Sequence, residues 1–262
     1  GLCDPRFAVV REAFADNFAL HDEIGAAVCI EVAGRRVVDL WGGHTDASRS
    51  QAWQRDTLVN AYSVGKGVLA AVVLAAVERG LLDLDAKVAH YWPEFAAEGK
   101  AEVGLRCLLS HRAGLPAVRE PLPEGAMLDW SRMCSALASQ APYWTPDSAH
   151  GYHVNTFGFV VGETLRRATG LAIGTALGQY VTGPLGADFH FGLPPALHGR
   201  VARICGSQLQ STRSEEWAAA FPPTGDAAHD AMIRHIYFNP SGLSGMGCVN
   251  TAPLGSPAVP DV

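Results

Sequence analysis

The sequence predicts a mixed α+β fold in which strands come first and a run of helices follows. Two observations carry this. Gly25–Val32, apolar and partly β-branched, and Arg36–Trp41 flank the turn Ala33-Gly34-Arg35, the pattern of an antiparallel hairpin. Downstream, apolar residues recur at helical spacing in segments broken by glycine and proline. With 262 residues, 48% hydrophobic and 18% charged, the chain has material for a sizeable core.

In chain order, Arg6–Leu20 has the spacing of an amphipathic helix. The hairpin follows, then a polar stretch, Gly43–Asp56. Ser63 leads into the Ala-rich run VLAAVVLAAVE, which predicts a helix buried on most of its surface and ended by Gly80. Pro93 marks a break, and Leu105–His111 is a short helix before an Arg-Ala-Gly-Leu-Pro turn. Further helices are expected over Asp129–Gln140, Asn155–Thr169 (ended by Gly170), Ala172–Val181 and Asp226–Tyr237. The tail from Ser241 is mostly small residues and proline. Without repeats or a clear linker, residues 1–262 read as one domain. Its regions are 1–60 (helix and strands), 61–185 (helices with the site motifs) and 186–262 (Pro/Gly-rich loops and a helix).

The bulk properties narrow the function. A net charge of -6 argues against nucleic-acid binding, which usually shows a basic surplus. The longest apolar run, Val68–Val77, is about half of the roughly 18 residues that cross a bilayer and is followed by Glu78 and Arg79. The N-terminus lacks a basic segment followed by an apolar one, so a cytoplasmic location is expected unless a leader was removed. The six cysteines are scattered without a Cys-x-x-Cys pair, and most read as small buried apolar residues. Neither they nor the ten histidines show metal-site spacing, and neither metal nor cofactor is called for.

The chain has three lysines, Lys66, Lys87 and Lys100, and the first stands three residues after Ser63. At a helix start, residues i and i+3 share a face, so the Lys66 amine comes within reach of the Ser63 hydroxyl. A serine needs an adjacent base to become a nucleophile. A lysine entering an apolar helix loses hydration, which favours its neutral, basic form. The helix N-terminus adds partial positive charge where an oxyanion would form. Alone, a motif this short recurs by accident, and an N-cap serine beside a solvated lysine would read the same.

Context sharpens it. Leu58–Gly67 (LVNAYSVGKG), the helix after it, then LLDLDAKVAHYWPEF and Leu108–Pro116 (LLSHRAGLP) together resemble the serine β-lactamase and penicillin-recognising superfamily. Class C β-lactamases and family VIII esterases are the nearest branches. The resemblance covers roughly residues 7–185. It implies a β-lactamase/transpeptidase-like fold, with an antiparallel sheet flanked by helices plus an all-helical region. It also implies catalysis through a covalent ester on Ser63, with Lys66 as base.

The family's next motif, a tyrosine often in Tyr-x-Asn, corresponds to Tyr152 in the stretch Gly151–Gly158. A phenol held near Lys66 can relay the serine proton and protonate the leaving group. The sequence departs at Val154, where the motif would carry an amide; Asn155 lies one position later, and both His153 and Asn155 are candidate substrate-binding residues. Asp147 stands where many relatives have glycine after Trp-x-Pro, which affects the turn because glycine reaches backbone angles that Asp reaches less easily.

A third family element, Lys-Thr-Gly or a His/Trp variant on a late strand, finds no match. No lysine follows Lys100, and Gly242–Gly247 has no strand-like pattern. Three explanations stand open: a truncated chain, a parent protein longer than the numbered sequence, or a rearranged late loop. If the last strands are absent, the oxyanion hole is incomplete and the hairpin has an unpaired edge.

Three rivals compete. An α/β-hydrolase would need Gly-x-Ser-x-Gly, which does not occur, and nothing in the spacing places His111 or His153 by Ser63 for a triad. A metal-dependent hydrolase lacks its histidine pattern. A degenerate, non-catalytic β-lactamase-fold binding protein fits the missing third motif but not the intact Ser63, Lys66 and Tyr152. The reading carried forward is a serine hydrolase. It favours small carboxylic esters over β-lactams or peptides ending in D-amino acids, and it leaves the oligomeric state open.

Overall fold

The computed structural model describes residues 1–123, 125–204 and 222–238. The described chain is divided into two compact units. One is built on Gly1–Asn60 with the segment from Ala196, the other on Ala61–Pro195 with the helix Ala227–Phe238.

The first unit holds a three-stranded antiparallel sheet in the order β1-β3-β2, with β1 Leu2–Cys3, β2 Gly25–Val32 and β3 Arg35–Gly43. β2 and β3 form the expected hairpin, Val32 facing Arg35 across a two-residue loop. Ala33 and Gly34 both take positive φ, 49° and 72°, the requirement of the tight turn whose twist matches the strands. β1 and β2 are the edge strands of the described sheet. Helix α1, Ala8–Leu20, buries no residue completely; Val9 and Leu20 are exposed, and its packing rests on Phe14 and Phe18 against Gly42. The next residue is the one that needs to be glycine: Gly43 takes φ 80°, and a Cβ on it would stand 2.7 Å from the Phe18 ring and run into the Ile24 carbonyl. Among the described residues, Val37, Val38, Trp53 and Ala202 are the buried hydrophobics of this unit.

The second unit is helical. Helix α2, Val64–Glu78, ends where Gly80 turns left-handed at φ 71°. It was expected to be buried on most of its surface. Instead Leu69, Val72, Val73 and Ala76 form one buried stripe, while Leu74 is half exposed. The 3-4-7 spacing of the bulky residues makes a single face, and alanine covers much of the rest. Then come α3, Val88–Tyr91, and α4, Leu105–Leu109. In α5, Trp130–Ser139, the Asp129 side chain caps the N-terminus by accepting from the Arg132 N–H. Helix α6, Phe157–Thr169, starts two residues later than the periodicity predicts and stops at left-handed Gly170, as expected. The single helix expected over Ala172–Val181 is broken into α7, Ile173–Leu177, a π turn over Gly178–Thr182, and α8, Gly183–Leu185. A Cβ on Gly183 would stand 2.5 Å from the Gly178 carbonyl oxygen, so the wide turn depends on glycine at that point. Helix α9, Ala227–Phe238, is capped by Asp226, which accepts from the N–H groups of Ala228 and His229.

The core of this unit runs through α2, α5 and α6 and includes Trp92, Phe95, Leu108, Leu115, Met133 and Phe159. Lys100 is buried within it. Its ammonium donates to the carbonyls of Ala97 and Gln140 and lies 5.6 Å from the centre of the Phe95 ring. It thereby satisfies the carbonyl at the C-terminal cap of α5. Burial pushes its pKa down to about 8.

Of the described cysteines, Cys107 and Cys134 are buried as expected, Cys3 is partly buried and Cys29 is exposed; all four are free. The segment Gly242–Gly247 lies outside the described residues. No described helix is long and apolar enough to cross a membrane.

Candidate active site

Ser63 stands at the head of α2, where the chain turns sharply. The N–H groups of Val64 and Gly65 bond to the carbonyls of Ala61 and Tyr62, and Tyr62 takes a left-handed φ of 47°. A bulky residue in that region carries strain, which concentrates where structure serves chemistry. Ser63 itself has helical angles, and its side chain makes no capping bond. The hydroxyl is instead engaged by Lys66, whose Nζ lies 3.1 Å from Ser63 Oγ. One helical turn thus brings the two groups together, and Lys66 is half-buried while Ser63 is exposed.

Tyr152 joins them from the loop before α6, with Lys66 Nζ 5.1 Å from its ring centre. The loop is built for close packing: a Cβ on Gly151 would lie 2.5 Å from the indole of Trp144. His153 follows, and both its ring nitrogens are taken by backbone. Nε2 accepts from the Leu115 N–H at 3.0 Å, which leaves Nδ1–H to donate to the Gly151 carbonyl at 2.5 Å. Burial pushes its pKa down to about 4, so the ring is neutral over the ordinary working range. Only 1% of His153 is exposed, so it acts as a strut beneath the loop. The Asn155 amide donates to the Ile236 carbonyl at 3.3 Å and ties the loop to α9. Tyr143 makes a second tie, its hydroxyl 2.6 Å from His235 Nδ1.

His111, which spacing alone could not place, lies under Tyr152 with ring centres 4.9 Å apart. It follows α4 at φ 60°, so the short Leu-Leu-Ser-His helix was the available signal and its left-handed exit was the missing piece. Burial, then the nearby charges of His150 and Lys66, hold its pKa below the usual imidazole value.

Asp147 takes a left-handed φ of 67°. Its N–H bonds to the Arg112 carbonyl, and its carboxylate stands 3.4 Å from the Arg112 guanidinium. Asp tolerates this angle better than most residues. Asp147→Gly is therefore expected to stay within about 1 kcal/mol of the wild type, whereas Asp147→Val should cost about 2 kcal/mol. Chemical denaturation of the two variants checks this.

Among the described residues, no group of three or more His, Cys, Asp or Glu side chains is arranged to hold a metal ion. A serine hydroxyl paired with a lysine amine at a helix head, with a tyrosine beside the lysine, is an arrangement suited to acyl transfer. The chain matches the family model described as Beta-lactamase over residues 10–245, and it belongs to that family. It is 36% identical over 206 residues to the Esterase/beta-lactamase LipL of Mycobacterium tuberculosis (strain ATCC 25618 / H37Rv), an alignment covering 78% of this chain and 48% of LipL. A crystal structure of a family VIII carboxylesterase is similar at 41% identity and a TM-score of 0.74, covering 93% of this chain and 66% of that one. A penicillin-binding protein homolog from Caulobacter crescentus is similar at 37% and 0.80, covering 92% and 62%. The chain spans about half the length of the curated relative LipL.

Proposed function

We propose that this chain is the nucleophile-bearing part of a serine hydrolase that cleaves small carboxylic esters. The observation that carries the reading is the 3.1 Å contact between Lys66 Nζ and Ser63 Oγ, with the hydroxyl free of any capping role. In the proposed cycle Lys66 takes the hydroxyl proton as Oγ attacks the acyl carbon, and the alkoxide leaves with a proton relayed through Tyr152. Water then attacks the Ser63 ester along the reverse proton path, releasing the acid and restoring the hydroxyl. The Ser63 N–H bonds to no backbone carbonyl among the described residues and is free to donate to the oxyanion.

Two features favour esters. The surroundings are apolar, with Tyr62, Val64 and Tyr152 exposed around the serine, which suits an acyl chain. The position where Tyr-x-Asn carries its amide is Val154, and the Asn155 amide is already engaged by Ile236. Relatives described as an esterase/beta-lactamase and as a family VIII carboxylesterase support the same reading. The first of these also keeps β-lactam hydrolysis as a second reading. A small-molecule substrate, rather than nucleic acid, also fits the net charge of -6.

The test is turnover of p-nitrophenyl butyrate, with nitrocefin in parallel, and labelling by a fluorophosphonate located by mass spectrometry. Ester turnover with the label on Ser63 supports the reading, and faster nitrocefin turnover would favour the second. A chain that neither turns over nor takes the label would sink both and leave a fold used for binding.

A further inference from the structure

We infer that His111 is a positioning residue for Tyr152, clamping the backbone on both sides of that tyrosine and backing its ring. The inference rests on the proposed proton relay through Tyr152. Before the tyrosine, the Gly151 N–H donates to the His111 carbonyl at 3.1 Å. After it, the His153 N–H donates to His111 Nδ1, also at 3.1 Å. A single residue thus holds both flanking peptides. It can do so because its left-handed backbone turns its carbonyl and its ring toward the same loop. The imidazole lies between Tyr152, at 4.9 Å, and the Phe157 ring of α6, at 4.7 Å, so the tyrosine cannot sink toward the core.

The clamp works in one protonation state. Accepting from the His153 N–H needs the Nδ1 lone pair, so the proton of neutral His111 sits on Nε2. Protonation puts a hydrogen on Nδ1, facing the His153 N–H donor to donor, and the bond is lost. It also adds a positive charge in an environment already holding Lys66 from α2 and His150 from the loop. The other groups around the ring are Tyr152 and neutral His153 on the loop and the apolar Phe157 on α6, while Arg112, next in the chain, is paired with Asp147. Among the described residues, no carboxylate is among the groups that contact or charge the ring, so none of them offsets the added cation. Tyr152 is then released on its C-terminal side, and turnover falls on the acid limb.

Two variants separate the parts. His111→Phe keeps a ring between Tyr152 and Phe157 but leaves the His153 N–H without an acceptor. Its kcat should fall about 10- to 100-fold with little change in KM. His111→Asn places an amide oxygen where Nδ1 stood, tolerates a positive φ and does not titrate near neutrality. It should recover most of the loss and remove from the acid limb of the kcat profile the part that His111 sets, leaving only that of the Lys66 base. In parallel, the His153 amide proton, followed by NMR, should shift with pH as His111 titrates in the wild type and stay still in His111→Asn. A wild-type acid limb in His111→Asn, or a His153 amide indifferent to pH in the wild type, overturns the inference. Failure of the hydrolase reading is distinct: it appears as wild-type turnover no faster than that of Ser63→Ala, while the amide titration still reports on the clamp.

Discussion

Ser63→Ala lowers kcat for p-nitrophenyl butyrate by at least about a thousandfold, and Lys66→Met by a comparable factor. Removing the hydroxyl removes the atom that would carry the acyl group, and only weak background catalysis from oriented dipoles remains. Removing the amine leaves an exposed serine with no group at 3.1 Å to take its proton. Because the two act as one unit, the double variant should be no worse than either single one. KM should move little, since neither group supplies the apolar surroundings of the acyl chain. Stability should also hold within about 1 kcal/mol, because the Ser63 side chain does not cap α2 and the residue is exposed. Steady-state kinetics with thermal melts on the three variants decides the matter. A Lys66→Met protein with near-wild-type kcat would remove lysine from the proposed cycle.

Glu163→Ala should cost about 2–4 kcal/mol of stability and lower Tm by roughly 5–12 °C. Glu163 is buried on α6, yet it is charged, because four donors converge on it. Trp130 Nε1, Arg166 through two nitrogens, and Arg167 Nε each stand 2.8 Å from its oxygens. Arg167 reaches on to Glu94 at 3.0 Å. Burial alone would raise the carboxyl pKa, but the bonds from the two arginines and the tryptophan outweigh it and bring it down to about 2. The unfolded carboxyl titrates near ~4.3. Its contribution is therefore fully present above that value, and it is lost as pH falls toward 2. Alanine takes the acceptor from the partly buried indole N–H, while the half-exposed arginines regain water, which keeps the cost below that of a wholly buried pair. Melts from pH 7 down to pH 3 should show a wild-type decline that is shallower in Glu163→Gln.

Most element boundaries were legible because specific residues write them. Gly80 and Gly170 stop helices by turning left-handed, Asp129 and Asp226 cap them, and Ala33-Gly34 sets the hairpin register. β1 was not legible, since two residues are too short to show a period. The break after Leu177 was missed because Gly178 and Gly183 act together, and single-residue propensity does not register a contact across five residues. In the site, Ser63 and Lys66 were readable because a helix puts i and i+3 on one face. The meeting of His111 with Tyr152 was not, because it spans 41 residues and turns on one left-handed angle. His153 and Asn155 were expected to face substrate. Their partners, Leu115 and Ile236, are tertiary neighbours that no local pattern names.

The sealed position of Lys100 has a practical consequence. Lys87 is exposed, Lys66 is half-buried beside Ser63, and Lys100 has no accessible surface. An amine-acylating reagent therefore meets three lysine amines of graded reach on one chain. Modification of Lys100 requires the carbonyls of Ala97 and Gln140 to let go, so its rate reports how often that part of the core opens. Trypsin does not cut at an acylated lysine, so Lys66 falls on the peptide Asp56–Arg79 while Lys87 and Lys100 share Gly80–Arg106, where fragment ions assign the label. Tandem mass spectra thus record surface access, the neighbour of Ser63 and the breathing of the core together.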